Sequence, residues 1–108
     1  MKDLDKILWR DALTLIAVTA SWCSVCRTME PVIDRFQEQT NGRADVFRID
    51  SDDRNLAEFL RRYRIDAVPT LLFFCRGEML WRRSGMISYN QLLTALDTVE
   101  RYQHACQF

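Results

Sequence analysis

The sequence has no excess of charge of either sign, since 15 lysines and arginines are matched by 15 aspartates and glutamates. Without a net positive field, we do not expect binding to nucleic acid or to an anionic membrane surface. No segment approaches the roughly 20 apolar residues of a membrane span, and residues 1–6 lack the apolar core of a secretory leader. The sequence therefore predicts a cytoplasmic protein, with a protein whose leader has been removed as the alternative.

Cysteine is sparse as well, with four in 108 residues, which is too few for a disulfide scaffold. With 48% apolar residues, a chain of this length can bury its own core, so residues 1–108 are predicted to form a single domain. Internal repeats, linkers and low-complexity segments do not occur in the sequence. Residues 103–108 are expected to form a flexible tail.

Apolar periodicity predicts an alternation of helices and strands. A strand–helix–strand unit is joined through a helix to an antiparallel hairpin, which predicts an α/β sandwich with four strands. The predicted elements are, in order, a helix at 3–11, a strand at 13–20, a helix at 24–40, a strand at 44–50, a helix at 54–63, strands at 70–75 and 79–83, and a helix at 88–102.

Two cysteines three residues apart stand where the first strand gives way to a helix, in Trp22-Cys23-Ser24-Val25-Cys26. Residues i and i+3 of a first helical turn share a face, with Cβ atoms roughly 5–6 Å apart, so the pair is placed to close a disulfide. The positive end of the helix dipole favours the thiolate of Cys23. We therefore predict a redox disulfide, with Cys23 as the nucleophile and Cys26, one turn deeper, as the resolving thiol.

An ordered set of motifs resembles the thioredoxin family across nearly the whole chain. The motifs are Trp22-Cys23-x-x-Cys26, Pro31, Asp50 and Asp52, Val68-Pro69-Thr70, and Gly77 with Gly85. The resemblance implies a thioredoxin-like three-layer α/β/α sandwich with a four-stranded mixed sheet. Only 12 residues precede Leu13, so we expect the first edge strand of thioredoxin to be missing.

The resemblance also implies a thiol–disulfide oxidoreductase whose redox centre is the Cys23–Cys26 pair, with no organic cofactor and no metal. The implied partners are client proteins that carry disulfides. An external reductant, such as a thioredoxin-reductase-like enzyme or a thiol pool, would regenerate the dithiol. We expect the protein to be a monomer.

A client groove beside the cysteines is a further implication of the resemblance. In the family, the proline before the Thr-initiated strand follows a cis peptide bond, which carries over to Val68–Pro69. The backbone of Val68 would bind an extended client segment, with Trp22, Ala67 and Gly85 at the border of the groove. The alternative is that Pro69 is an ordinary proline at the start of a strand.

The chain departs from the family pattern in two places. Ser24-Val25 replaces the usual Gly-Pro, and we expect a potential between those of thioredoxin and the disulfide isomerases, about −270 and −180 mV. Ala17 replaces a buried aspartate that assists proton transfer, so Arg48 is expected to lack its usual partner. Glu30 is a candidate substitute as proton acceptor, with a solvent-facing side chain as the alternative. Resolution by Cys26 is expected to be slow near neutral pH.

Two other functions are consistent with these residues. A thioredoxin-fold binding or scaffold domain with little redox turnover would explain the departures. A metal site would need Cys23 and Cys26 together with His104 and either Cys75 or Cys106, which is a poor second pair of ligands for zinc. We interpret Cys75 as a small apolar or half-exposed side chain, with a regulatory thiol as the alternative, and Cys106 as a free cysteine in the tail.

Overall fold

The computed structural model describes residues 2–102, and the predicted tail with His104 and Cys106 lies outside them. Each predicted element is present, with boundaries shifted by at most a few residues. The elements are α1 (Lys2–Leu8), β1 (Thr14–Thr19), α2 (Ser24–Gln39), β2 (Asp45–Asp50), a short 3₁₀ helix (Arg54–Leu56), α3 (Ala57–Arg62), β3 (Thr70–Cys75), β4 (Glu78–Ser84) and α4 (Tyr89–Tyr102). Within residues 2–102, no helix is both long and apolar enough to span a bilayer.

The four strands form one mixed sheet in the order β2-β1-β3-β4. Strand β1 is parallel to β2 and antiparallel to β3, and β4 returns antiparallel beside β3. This arrangement confirms the predicted four-stranded mixed sheet. Among the described residues α1 is the first element, so β2 is left as an edge strand.

Side chains of the two central strands alternate between the faces of the sheet, and helices cover both faces. Leu15 and Ala17 of β1 pack with α2 and α4, whereas Ile16 and Val18 pack with α1 and α3. All four side chains are fully buried. A strand covered on both faces is apolar at every position, which explains the unbroken apolar run in the sequence. The three-layer sandwich predicted from the resemblance is therefore confirmed.

A cation from the segment after α1 contacts the edge strand β2. Arg10, which follows α1, lies with its guanidinium carbon 5.4 Å from the centre of the Phe47 ring of β2. One of its nitrogens also lies 3.0 Å from a carboxylate oxygen of Asp45, the first residue of β2. Charged side chains at a sheet edge disfavour pairing with a further strand. This ion pair therefore places charge beside the edge strand β2.

Candidate active site

The first cysteine of the pair is the N-cap of α2. Cys23 has an extended backbone (φ −93°, ψ 110°), and its Sγ accepts a hydrogen bond from the backbone N–H of Cys26 at 3.1 Å. The first turn of a helix has unpaired N–H groups and the positive end of the dipole, so both the bond and the dipole favour negative charge on this sulfur. Both cysteines are free thiols, and Cys23 retains 7% exposure.

The second cysteine lies behind the first and is only 2% exposed. Burial raises the pKa of the Cys26 thiol to about 11, with the neighbouring Cys23 and, to a smaller extent, the Glu30 carboxylate acting in the same direction. At pH 7 only about one Cys26 thiol in ten thousand is therefore ionised. A reaction in which Cys26 acts as a nucleophile needs a group that removes its proton.

The segment before β3, residues 67–69, packs against Cys23. The Val68–Pro69 peptide bond is cis, as the resemblance implied. The carbonyl oxygen of Val68 lies 3.8 Å from the Sγ of Cys23, within reach of a weak hydrogen bond from the thiol. The carbonyl of Pro69 accepts a 2.8 Å hydrogen bond from the N–H of Gly85, and Thr70 Oγ1 donates to the carbonyl of Ala67 at 2.7 Å. These bonds hold the segment against the cysteine pair.

A surface groove of about 350 Å³ is lined by Trp22, which precedes Cys23 in the chain, and by Val68, whose carbonyl faces the sulfur of Cys23. Three of the predicted groove residues line it, namely Trp22, Ala67 and Val68. Gly85 is not part of this lining, and its link to the groove is the hydrogen bond to Pro69. The other lining residues are Ser51, Leu60, Ile65 and Asp66.

The indole of Trp22 is held at the rim of the groove by Asp52, a pairing that the sequence did not predict. Trp22 is 67% exposed, and its Nε1 donates a 2.8 Å hydrogen bond to Oδ2 of Asp52. Asp52 follows β2, and the carboxyl ends of parallel strands β1 and β2 meet at the same edge of the sheet. That topology is the signal from which the pairing could have been found.

Arg48 lacks its usual partner on β1, as expected, and the structure shows which groups it contacts instead. Ala17 and Arg48 are neighbours in the register of β1 and β2, so the arginine does face a buried alanine instead of a carboxylate. Its guanidinium instead lies 2.9 Å from Oε2 of Glu30 and 2.6 Å from Oδ1 of Asp34, both on α2. The cation therefore has two acidic partners, and neither of them is on β1.

A second cavity, also about 350 Å³, opens beside the buried cysteine. Cys26 and Glu30 from α2 line it together with Arg48 and Asp50 from β2. The structure thus brings the candidate proton acceptor and the resolving thiol to one cavity.

The other hypotheses concern Cys75, Cys106 and a metal site. Cys75, the last residue of β3, is 2% exposed and disulfide-bonded, so it is neither half-exposed nor a free thiol. The interpretation of Cys106 lies outside the described residues. Within residues 2–102, no group of three or more histidine, cysteine or acidic side chains is placed to hold a metal ion.

The layered fold and the cysteine pair capping a helix beside a cis-proline define a protein of the thioredoxin class. The thioredoxin family model matches residues 2–98, and the chain therefore belongs to the thioredoxin family. Members of this family act through their own redox-active cysteines and use no cofactor.

Individual relatives agree with this assignment. The chain is 26% identical over 108 residues to an M-type chloroplast thioredoxin of Spinacia oleracea, covering 94% of this chain and 57% of that protein. It is 32% identical over 76 residues to thioredoxin-1 of Saccharomyces cerevisiae, covering 70% of this chain and 71% of that one. The chain thus spans little more than half the length of the spinach protein.

Solved structures show the same fold. A thioredoxin from Trypanosoma brucei brucei superposes with a TM-score of 0.83 at 23% identity, covering 94% of this chain and 86% of that one. A thioredoxin variant from Halobacterium salinarum superposes with a TM-score of 0.75 at 30% identity, covering 95% and 85%.

Proposed function

We propose that this protein is a thiol–disulfide oxidoreductase in which Cys23 attacks and Cys26 resolves. The observation that supports these roles is the asymmetry of the pair. The sulfur of Cys23 caps the helix and accepts the N–H of Cys26, whereas the thiol of Cys26 is buried and has a raised pKa. The capping sulfur of Cys23, at 7% exposure the more accessible of the two, is suited to meet a client, and Cys26, at 2% exposure, is suited to act only after a client has bound.

In the proposed reaction, the thiolate of Cys23 attacks one sulfur of a client disulfide. A mixed disulfide forms, and the second client sulfur leaves with the bonding electron pair as a thiolate. Cys26 then loses its proton and attacks Cys23, which forms the Cys23–Cys26 disulfide and releases the first client sulfur as a thiolate. The client disulfide has gained two electrons, and the cysteine pair has lost them.

The proposed clients are proteins whose disulfide lies in an extended segment. Such a segment would bind at the backbone of Val68 and lie along the groove between Trp22 and Ala67, while the N–H of Gly85, directly after β4, bonds the carbonyl of Pro69. Main-chain hydrogen bonds do not distinguish side chains, so this mode accepts a range of clients. A thioredoxin-reductase-like enzyme or a thiol pool would return the dithiol, and a cytoplasmic location remains part of the proposal.

Catalysis of insulin reduction separates an oxidoreductase from a scaffold domain of the same fold. In dithiothreitol, we expect the protein at micromolar concentration to shorten the lag before reduced insulin chains precipitate, because the helix-capping sulfur of Cys23 attacks the disulfide and Cys26 then releases the reduced chain within the same molecule. Turbidity at 650 nm follows the reaction. The matched control is the same protein with its accessible thiols blocked by iodoacetamide. Equal lags for the protein and the control would favour the scaffold.

The potential of the cysteine pair is the second expected result. Ser24 and Val25 stand where thioredoxins have Gly-Pro, and we expect a two-electron midpoint between about −270 and −180 mV. Equilibration with mixtures of reduced and oxidised glutathione, followed by acid quenching and alkylation, gives this value. A midpoint more negative than that of thioredoxin would contradict the expected effect of the missing proline.

A further inference from the structure

The cavity beside Cys26 holds four charged side chains, two from α2 and two from β2. They are Arg27, Glu30, Arg48 and Asp50. Strand β1 contributes the uncharged Thr19 to the lining, and Ala20 and Ser21 follow it directly. The cavity is large enough to admit several water molecules, and its polar lining offers them hydrogen-bond partners. A proton leaving Cys26 can therefore be accepted within this space.

Two of these four groups have other partners on their own side of the cavity. Arg27 donates from Nη1 to the carbonyl of Ser21 at 2.9 Å. Asp50 accepts the N–H of Asp52 at 2.8 Å through Oδ1, which is one turn-stabilising bond. The remaining pair, Glu30 and Arg48, is joined by the 2.9 Å bond between Oε2 and Nη1.

Glu30 is the carboxylate whose position relates it directly to the resolving thiol. It lies four residues after Cys26 on α2, and residues i and i+4 are neighbours on one face of a helix. Its side chain is 41% exposed, so a proton that it accepts can pass on to solvent. The negative charge of the Glu30 carboxylate helps to raise the pKa of the Cys26 thiol.

We infer that Glu30 accepts the proton of Cys26, across the cavity, as Cys26 attacks the mixed disulfide, and that Arg48 is the positioning residue that holds the carboxylate there. This inference rests on the proposed function. The Cys26 S–H bond breaks and its proton passes to Glu30. The Cys23–Cys26 bond forms with the sulfur's electron pair, and the client sulfur leaves as a thiolate that later takes a proton from solvent.

Neutralising Glu30 changes the rate of attack by Cys26, and the direction of that change distinguishes proton acceptance from simple charge repulsion. As a fixed negative charge, Glu30 disfavours the Cys26 thiolate, so its neutralisation would lower the pKa of Cys26 and speed the attack. As a proton acceptor, Glu30 assists the attack, so its neutralisation would slow it. Glu30→Gln keeps the shape of the side chain and removes the charge, and the two roles therefore predict opposite changes.

The experiment follows the two steps separately with equimolar 5,5′-dithiobis(2-nitrobenzoate) in a stopped-flow spectrometer. The reduced protein releases one nitrothiobenzoate when Cys23 attacks and a second one, with first-order kinetics, when Cys26 resolves the mixed disulfide. The double variant Cys23→Ser, Cys26→Ser measures release by any other thiol, which is subtracted. Rates are measured from pH 6 to pH 10.

We expect Glu30→Gln to leave the first phase unchanged and to slow the second at least about tenfold at pH 7. The second rate of the variant should rise tenfold per pH unit, because only hydroxide-dependent ionisation of Cys26 is left, whereas the parent should show a shallower profile near neutral pH. Towards pH 10 the two rates should converge.

Matched variants test whether the effect belongs to the carboxylate at position 30. Asp34→Asn removes the other carboxylate bound to Arg48, and Asp50→Asn removes the other carboxylate of the cavity. We expect the second phase of both variants to stay within about threefold of the parent, against the tenfold or larger loss for Glu30→Gln. A second phase in Glu30→Gln as fast as or faster than that of the parent, or an equal loss in either control, would overturn the inference. Absence of the first phase in the parent would refute the proposed function itself, and the inference with it.

Discussion

We expect the Cys26→Ser variant to accumulate as a mixed disulfide with its clients instead of completing their reduction. The serine hydroxyl cannot displace the client sulfur, so the mixed disulfide between Cys23 and the client persists until an outside thiol attacks it. In the parent, resolution is intramolecular and benefits from the high effective concentration of a neighbouring group. We therefore expect the lifetime of the mixed disulfide to rise at least about a thousandfold.

Reduced Cys26→Ser incubated with a model protein disulfide, such as insulin, shows this as a covalent complex on non-reducing gels. Cys23→Ser is the matched control, since it keeps Cys26 and removes the capping sulfur. We expect it to form no complex, because the Cys26 thiol is 2% exposed and its pKa is raised to about 11. A complex formed through Cys26 in the Cys23→Ser variant would reverse the assigned roles.

The positions of the two cysteines could be predicted from the sequence because they depend on local structure. An apolar run followed by an amphipathic segment places Cys23 at the start of α2, and the spacing of three residues places Cys26 on the first turn. The structure adds the 3.1 Å bond from the N–H of Cys26 to the Cys23 sulfur, which follows from the same local geometry. Contacts within a few residues are the ones that periodicity determines.

The contacts of Arg48 could not be predicted in the same way. The resemblance indicates a lysine–aspartate pair between two strands, and Ala17 shows only that this pair is missing. Whether a long arginine side chain then turns to solvent or to a helix depends on how α2 packs over β2. In the structure it reaches Glu30 and Asp34, 18 and 14 residues away along the chain. Side-chain contacts between packed layers follow from tertiary geometry, which apolar periodicity and motif spacing do not determine.

Trp22 illustrates an intermediate case. The sequence places it next to the nucleophile and the resemblance places it at the rim of a groove, and the structure finds it lining that groove. Its hydrogen bond to Asp52 depends on the side-by-side packing of β1 and β2. The element order predicts that packing, but the rotamer that brings the indole N–H to the carboxylate is visible only in the structure.

Ala17→Asp will lower the free energy of unfolding by about 3 kcal/mol or more at pH 8 relative to the parent. Ala17 is fully buried among apolar residues, including Met29 and Ile33, and the nearest cation on β2, Arg48, is held by two carboxylates of α2. A carboxylate introduced there loses its hydration without gaining a free cation. Urea unfolding at a series of pH values measures the difference.

The pH dependence of that loss identifies its cause. Burial raises the pKa of the introduced carboxyl in the folded state above its value of about 3.9 in the unfolded chain. Between the two values the folded state binds more protons, so the stability of the variant relative to the parent is greatest below about pH 4 and falls as the pH rises towards the folded-state pKa. Ala17→Asn, equal in size and without charge, should differ from the parent by an amount that does not change with pH. A difference for Ala17→Asp that is equally flat, or smaller than about 1 kcal/mol at pH 8, would mean that Arg48 leaves Glu30 for the new carboxylate. In that case the fold would accommodate a carboxyl group at position 17 on β1 as well as Glu30 on α2, and either could accept the proton of Cys26.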